Sequence, residues 1–554
     1  MIARVSELVE QSQHFGELLL DKSCNVEALL TTTLVSSIGI YGMGNVGKMT
    51  LTKHVHNRLL KDAEKLVFLV IVSQECSIMM LQDKITHELG LNLSDEHNVD
   101  KRAARLNRAL FERNNFVLIL DDVCKKFSLE KVGDPLLVEG CTLILTTRSL
   151  EVCRQVGCEE IIEVETLNEN ESWNLFRETL GRGTELIDPE VEEIAKSMAK
   201  MCDGLPLGII TIATSMRGVT RTYAWRNALR ELKESSFRQD DEEEDNVFKV
   251  LKYSFDRLDQ RHRHGFLYFS LYPEDYKVFV EHIVSKFILE ELVDTKWSME
   301  AQLDEGRAIV DRLVNVCVLE RVDSDMVRMH DLLRAMALKI TRGKTMVLAG
   351  CSSNQIPNEE ECWTKDLEKV SLMENNIVEI LAEMSPNCPK LSTLLLDGNP
   401  LNFISESFFS QMNGLCVLDL SDTEIKLGKL KALKELDLSW IGITEVPQGM
   451  EKLVNLKRLL MRGTNCLKMF PRDLLPNFPY LQCLHLPDHR QIPIEELESL
   501  KQLQDHRGPV KDECDFNRFI RSQQSKGYDT NYCIVVTDCV GRPNVQSVYK
   551  NLNW

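Results

Sequence analysis

From Leu34 to about residue 165 the chain alternates short apolar runs with longer stretches of helical periodicity. The runs are Leu34–Tyr41, Leu66–Ser73, Phe116–Leu120 and Thr142–Thr146. Continuous apolar runs of this length suit strands buried on both faces, as in parallel sheets. Helical segments at Leu51–Leu60, Met79–Leu89 and Lys101–Arg113 separate the first three runs. The alternation predicts a doubly wound α/β domain over residues 31–165. Residues 1–30 form a short, mildly amphipathic remnant, too little for an independent domain. Beyond residue 165 the helical period takes over and predicts a helical domain over 166–245. It holds Ser172–Phe176 in one amphipathic helix, Pro189–Cys202 in another, and a Gly204-Leu205-Pro206-Leu207 turn entering a third. The acidic run Gln239–Asp245 reads as an exposed boundary. A second mostly helical block over 246–345 follows, containing Tyr272-Pro273-Glu274-Asp275 and Met329-His330-Asp331.

The next region repeats. Six LxxLxL sets begin at Leu367, Leu391, Leu415, Leu433, Leu456 and Leu481, and their last members fall 24, 24, 18, 23 and 25 residues apart. Those intervals match a repeat of about 20–29 residues with one strand each on the concave face of a leucine-rich-repeat horseshoe. The array is placed at 365–500. The short interval, around Ile425–Leu433, predicts a trimmed repeat or a local kink. Residues 501–554 lose the pattern and are expected to form an irregular tail with no evident cap.

At 554 residues the chain has room for three to five domains. Its net charge of −19 argues against general nucleic-acid or anionic-membrane binding. Seventeen cysteines without a CxxC pair or zinc spacing read as reduced thiols of a cytosolic or nuclear protein. No apolar run approaches transmembrane length, and the N-terminus has no signal layout.

The sharpest chemical signal is Gly42-Met43-Gly44-Asn45-Val46-Gly47-Lys48-Met49-Thr50, between a strand-like run and a helix. This is the context of a phosphate-binding P-loop: amides and a helix N-terminus face the anion, and Lys48 adds a full charge. The position after the lysine normally carries a hydroxyl for Mg²⁺. Here it is Met49, a poor ligand for a hard ion, and Thr50 should point elsewhere. Asp121-Asp122 ends the third run. After any strand such a pair can be a solvated turn; after a P-loop it reads as the Walker B function, with Asp121 on Mg²⁺ and Asp122 near the attacking water. Arg148, ending the fourth run, is balanced on spacing alone between a γ-phosphate sensor and a surface arginine. Pro206 reads by itself as helix punctuation and His330 as a structural histidine.

The order Gly-Met-Gly-x-Val-Gly-Lys, Leu-Ile-Leu-Asp-Asp-Val, Leu-Thr-Thr-Arg, Gly-Leu-Pro-Leu, Tyr-Pro-Glu-Asp and Met-His-Asp covers residues 34–340. With the repeats behind it, the chain resembles the plant intracellular immune receptors of the nucleotide-binding, leucine-rich-repeat class, in their coiled-coil branch. The resemblance implies an NB-ARC (STAND) P-loop NTPase domain, helical and winged-helix domains, and an α/β leucine-rich-repeat solenoid. It implies a switch held closed by ADP and opened by ATP, with self-association on activation. Carried over, Gly42 to Thr50 cradle the phosphates and Pro206 packs on adenine. His330 reaches the β-phosphate, and Phe15-Gly16 match a segment touching the base. Arg148 senses the γ-phosphate, while Asp121 and Asp122 serve Mg²⁺ and water. Expected partners are a pathogen effector or guarded host protein on the repeats, with no nucleic acid and no transmembrane segment. The expected location is cytoplasmic, with peripheral membrane or nuclear placement as alternatives. Met49 departs from the family threonine, which argues against firm Mg²⁺ binding and leaves at most a slow ATPase. Most of the coiled-coil domain is absent, so a truncated receptor acting as a decoy or scaffold is the alternative.

Overall fold

The computed structural model describes residues 36–550, except 45, 62–65, 73–76, 94–95, 97, 114, 182–187, 238–245, 295–298, 358–361, 381–383, 402, 406, 421–429, 440–444, 465–466, 488–491, 525–530 and 538–542. Phe15, Gly16, Asn45 and the acidic run Gln239–Asp245 lie outside the described residues. The chain divides into two compact units: one runs to Asp259 and includes Asn315–Val318, the other comprises Gln260–Val314 and Leu319 onward.

In the first unit the apolar runs form strands β1 (Ser37–Tyr41), β2 (Leu66–Ile71), β3 (Phe116–Asp121) and β4 (Thr142–Thr147). A short fifth strand, β5 (Glu160–Glu163), completes an all-parallel sheet of order β2-β3-β4-β1-β5. Every residue of β3 and β4 is buried, which is why these strands read as unbroken apolar runs. β5, with the sequence Glu-Ile-Ile-Glu, sits at the sheet edge and carries too little apolar signal to be seen from sequence. β1 lies between β4 and β5, so the glycine loop after it opens beside the C-terminal end of β4.

Five helices follow in this unit: Glu169–Leu180, Pro189–Lys200, Pro206–Met216, Thr222–Phe237 and Asn246–Asp256. Asn168 starts the first with a reciprocal capping box, accepting from the amides of Asn170 and Glu171 while Glu171 accepts from its own amide. The acidic run before it groups the last helix with the following block. That helix packs instead on Pro206–Met216 and Thr222–Phe237, and the compact division falls at Asp259.

The second unit opens with helices Gln260–Phe269, Val280–Leu289, Met299–Asn315 and Asp331–Ile340 and a small antiparallel sheet. That sheet has strands β6 (Val278–Phe279), β7 (Glu320–Arg321) and β8 (Met326–Arg328), in the order β6-β8-β7. A long ladder follows. It begins at β9 (Thr345–Val347) and β10 (Lys369–Ser371), continues past the small separate pair β11 (Glu379–Ile380) and β13 (Phe403–Ile404), and takes in β12 (Thr393–Leu395). Then come β14 (Val417–Asp419), β15 (Glu435–Asp437), β16 (Arg458–Leu460) and β17 (Cys483–His485), each parallel to its neighbour. Each leucine set thus contributes one strand, and its leucines enter one continuous core. Across the short interval the pairing stays regular, with Leu418 opposite Leu436; residues 421–429 lie outside the described residues. Asn375 and Asn399, buried at the turns, each donate to a carbonyl of their own segment and to one of the segment before, satisfying backbone that a single strand leaves open.

The expectation of an irregular tail over 501–554 is corrected. β18 (Asp505–Val510) and β19 (Asn531–Thr537) extend the ladder in parallel, with helix Glu513–Gln524 between them, and β20 (Pro543–Lys550) pairs antiparallel on the end. In β18 His506 stands in register with Leu484 and Gly508 follows two residues on, so the leucine spacing breaks there while backbone pairing continues.

Within this unit the ladder receives a buried cation. Lys286, on helix Val280–Leu289, is 1% exposed, and its Nζ donates to Asp419 Oδ2 at 3.0 Å and Glu435 Oε1 at 2.6 Å. Arg458 holds the other oxygen of Glu435 at 2.8 Å. At the same helix end Glu290 pairs with Lys369 and Thr393, and Glu291 with Lys434. Burial alone would lower the Lys286 pKa, but the Asp419 and Glu435 carboxylates hold it well above the usual value. Against the same burial, Lys286 and Arg458 bring Glu435 down to about 2. Two further carboxylates on this face are pushed the other way. Removal from water and the neighbouring Asp419 raise Asp437 to about 7 and Asp397 to about 6.

Breaking a buried pair leaves an uncompensated charge, so Lys286→Met should cost about 3–5 kcal/mol in denaturant unfolding of the full chain; a loss under about 1 kcal/mol would contradict the buried pairing. For Asp437 the folded-state pKa lies above the unfolded one. Its contribution to stability is therefore full below the ordinary carboxylate range and lost as pH rises through about 7. Asp437→Asn should accordingly raise the Tm at pH 8, by about 2–4 °C if the gain is about 1 kcal/mol, and leave it unchanged near pH 4. An equal shift at both pH values would show that ionisation is not the cause.

Candidate phosphate-binding site

The glycine loop is fixed at its start by a backbone contact. Val164 N–H donates to the Tyr41 carbonyl at 2.8 Å, and a Cβ on Gly42 would stand 2.2 Å from the Val164 carbonyl oxygen. No side chain fits there. Val46, 1% exposed, pins the loop to the core, while Met43 projects outward at 62% exposure. Gly47 has φ 101°, a left-handed turn that favours glycine, and the helix Lys48–Leu59 starts directly after it. Sequence reading began this helix at Leu51; the structure puts Lys48, Met49 and Thr50 in its first turn, where amides lack intrahelical acceptors and the helix end is positive.

Lys48 is buried, and its Nζ donates to the carbonyls of Gly42 at 2.8 Å and Met43 at 2.7 Å. One turn on, the Thr52 hydroxyl lies 3.0 Å from the Lys48 carbonyl and 3.3 Å from Asp121 Oδ1. Asp121, 2% exposed, also accepts from Thr146 Oγ1 at 2.6 Å. Burial raises its pKa above the usual carboxylate range. Asp122 has φ 56°, its amide donates to Thr146 Oγ1 at 2.8 Å, and its Oδ2 lies 3.3 Å from Arg148 Nη2. Arg148 reaches the loop as well, with Nη1 3.8 Å from the Cβ position of Gly44. The structure therefore gathers Gly42, Gly44, Lys48, Asp121, Asp122 and Arg148 at the ends of β1, β3 and β4. Met49 and Thr50 are half-buried beside them.

Pro206 is buried at the first position of helix Pro206–Met216. The turn before it is tied to the same strap that fixes the loop. Leu167 N–H donates to the Gly204 carbonyl at 2.9 Å, and a Cβ on Gly204, at φ 71°, would come within 2.2 Å of Leu167 O. In the second unit, His330 caps helix Asp331–Ile340, with Nδ1 accepting from Leu332 N–H at 3.3 Å. That bond leaves the imidazole proton on Nε2. Sequence reasoning missed Thr52, Thr146 and the strap. The signal for Thr52 was its place one turn beyond Lys48, on the side that faces β3.

Among the described residues Cys483, His485 and Asp505 also come together on the ladder. Arg462 points Nε and Nη2 at His485 Nδ1, at 3.0 and 2.7 Å, so the ring proton is on Nε2 and is donated to Asp505 Oδ2 at 2.8 Å. The Cys483 thiol donates to the same oxygen at 3.3 Å. Burial lowers His485 to about 4 and keeps it neutral. A cation on Nε2 would force the proton onto Nδ1, against the arginine, so the trio is a closed hydrogen-bond network.

A family model for the NB-ARC domain matches residues 21–185. The chain is similar to two Arabidopsis thaliana proteins: Disease resistance protein SUMM2 (34% identity over 81% of this chain and 52% of that one) and Disease resistance protein RPS5 (33% over 91% and 58%). It spans about half the length of the curated relatives it matches. A crystal structure of Cdc6p from Pyrobaculum aerophilum aligns with 58% of this chain and 93% of its own at 12% identity, with a TM-score of 0.31. Among the described residues no helix is long and apolar enough to cross a membrane.

The strap sets a measurable limit. Gly42→Ala should destabilise the first unit by at least about 1–3 kcal/mol, the range for overpacking, and speed amide exchange at Val164. Unchanged exchange there would show that the backbone contact does not hold the loop.

Proposed function

The chain belongs to the NB-ARC plant disease-resistance family, and from that premise we propose that it works as an ADP/ATP-gated switch in defence against pathogens. The observation that carries this reading is the joint placement of buried Lys48, the Gly47 turn and helix N-terminus, and the Asp122–Arg148 pair beside Gly44. A nucleoside diphosphate fits this donor set: first-turn amides and Lys48 for the phosphates, and the Pro206 turn for the base. Arg148 is the residue read as answering a γ-phosphate, and His330, with its proton on Nε2, as donating to a β-phosphate from the second unit.

Mg²⁺ fits less well. Met49 offers a thioether where a hydroxyl belongs. Burial raises the Asp121 pKa, and two hydroxyls already lie within hydrogen-bond distance of its Oδ1. The residues favour holding a diphosphate over turning over a triphosphate, so activity is that of a switch or at most a slow ATPase. We read the four helices with the sheet β6-β8-β7 as the winged-helix domain. The ladder is read as a leucine-rich-repeat solenoid that senses an effector or a guarded host protein and biases the closed state. Self-association on activation and a cytoplasmic location belong to the same reading. Met49 also favours a second reading, a nucleotide-inactive decoy or scaffold.

Nucleotide content decides between the two. The purified protein, denatured and resolved by ion exchange, should release stoichiometric ADP; an empty, folded protein would favour the scaffold. His330→Ala should weaken ADP binding about tenfold, the loss of one charge-assisted hydrogen bond of about 1.4 kcal/mol, and unchanged affinity would remove His330 from the site. Met49→Thr should raise Mg²⁺-dependent ATP binding.

A further inference from the structure

Helix Leu150–Val156, which follows Arg148, ends at Gly157 with φ 85°. The amides of Gly157 and Cys158 both donate to the Cys153 carbonyl, at 3.1 and 3.0 Å. A left-handed helix terminus of this kind folds the chain back so that the residue after the glycine lies over the last turn. The residue after the glycine is Cys158, and the last turn presents Cys153. Beneath both is Gly39, in the middle of β1. A Cβ built on Gly39 would stand 2.8 Å from Cys153 Sγ and 3.0 Å from Cys158 Sγ, so the two sulfurs rest side by side against a single atom position. The helix terminus and the missing side chain of Gly39 together make a shared pocket for the pair.

The geometry points to Cys153 and Cys158 as a reversible dithiol–disulfide pair in the nucleotide-binding domain, closed by a hydroperoxide and reopened by a thiol reductant. The two sulfurs differ in the way such chemistry needs. Cys153 is fully buried, whereas Cys158 is partly exposed and can meet a small oxidant. The hydrogen bond from the Cys153 thiol to the Cys158 sulfur lowers the pKa of Cys158 and raises that of Cys153. By contrast, burial pushes Cys141 up to about 12 and Cys388 to about 11.

In the first step the Cys158 thiolate attacks one oxygen of hydrogen peroxide, giving the sulfenic acid and releasing hydroxide. In the second, the Cys153 sulfur attacks the Cys158 sulfur, the S–O bond breaks, and the thiol proton leaves with that oxygen as water. Two electrons pass from the dithiol to the peroxide. A disulfide across this turn needs no other chain segment, and it ties the helix that follows Arg148 to the start of β5.

The test uses the folded full-length chain. It is exposed to a small excess of hydrogen peroxide, blocked with iodoacetamide, then denatured and digested with trypsin. Cleavage at Arg148, Arg154 and Arg177 puts the two cysteines on separate peptides, Ser149–Arg154 and Gln155–Arg177. The expected product is a disulfide-linked pair of these peptides that dithiothreitol separates. In Cys153→Ser the bridge cannot close, and dimedone labelling of Cys158 should rise several-fold over the unsubstituted chain. Separate alkylation of both cysteines after peroxide, pairing of Cys158 with another cysteine, or no rise in dimedone labelling would each overturn the assignment.

Discussion

The glycine loop and the Gly-Leu-Pro-Leu turn both hang on one stretch of backbone, Val164 to Leu167, pressed between two glycines. It bonds to Tyr41 at one end and to Gly204 at the other, and at both contacts a Cβ would come within 2.2 Å of a carbonyl oxygen. Backbone against backbone is rigid in a way that side-chain packing is not, because no rotamer can yield. The first register fixes where β1 delivers its loop, and the second fixes the Gly-Leu-Pro-Leu turn. Two motifs far apart in sequence are thereby positioned by the segment that joins the α/β sheet to the helices. Gly42 is a glycine because the strap lies on it, Gly204 because of both the strap and its positive φ, and Gly47, at the helix entry, adopts a left-handed turn that favours glycine.

The second unit is organised by charge rather than by close backbone approach. Lys286 loses its water and is compensated by Asp419 and Glu435, and Arg458 steadies Glu435 from the far side. Such an arrangement gives little net stability relative to an apolar substitute, yet it is costly to disrupt. It therefore acts more as a specifier of fit than as a source of cohesion. Asp397 and Asp437 are left over in that balance, with no cation of their own among the contacts described, and their raised pKa values record the surplus of negative charge. The face of the ladder beside the helical block thus responds to proton concentration near neutrality, while the leucine core behind it does not.

How much of this could be read beforehand follows from which interactions are periodic. The apolar runs of β1 to β4 and the six leucine sets stand out because burial on both faces, or stacking of identical units, writes a regular pattern into the chain. β5 has two apolar residues, and β18 carries His506 and Gly508 in place of the leucine spacing, so neither leaves a comparable mark. The loop residues from Gly42 to Lys48 were legible because phosphate chemistry demands a set spacing. Thr52, Thr146 and Lys286 act through partners that only the fold brings near. The domain boundary expected at residue 245 does not coincide with the compact division at Asp259, for a related reason: an acidic run marks solvent exposure, and exposure does not by itself divide two cores. Asn246–Asp256 follows that run and still packs backward onto the helices before it.

The replacement at position 49 is best weighed against Asp121. In a site built to hold a hard cation, the hydroxyl after the lysine and the strand-end carboxylate act together, both presenting oxygen to one ion. Here the first is a thioether. The second is buried, which raises its pKa above the usual carboxylate range, and its Oδ1 lies within hydrogen-bond distance of the Thr52 and Thr146 hydroxyls. The two hydroxyls supply the donors that a buried carboxylate requires when no cation does. Restoring a threonine at 49 alone changes one half of the pair, whereas Lys48 and the first-turn amides need no metal to hold a diphosphate. Under the proposed switch the two demands separate: holding a diphosphate draws on Lys48 and the first-turn amides, whereas turnover draws on a cation that Met49 fits poorly.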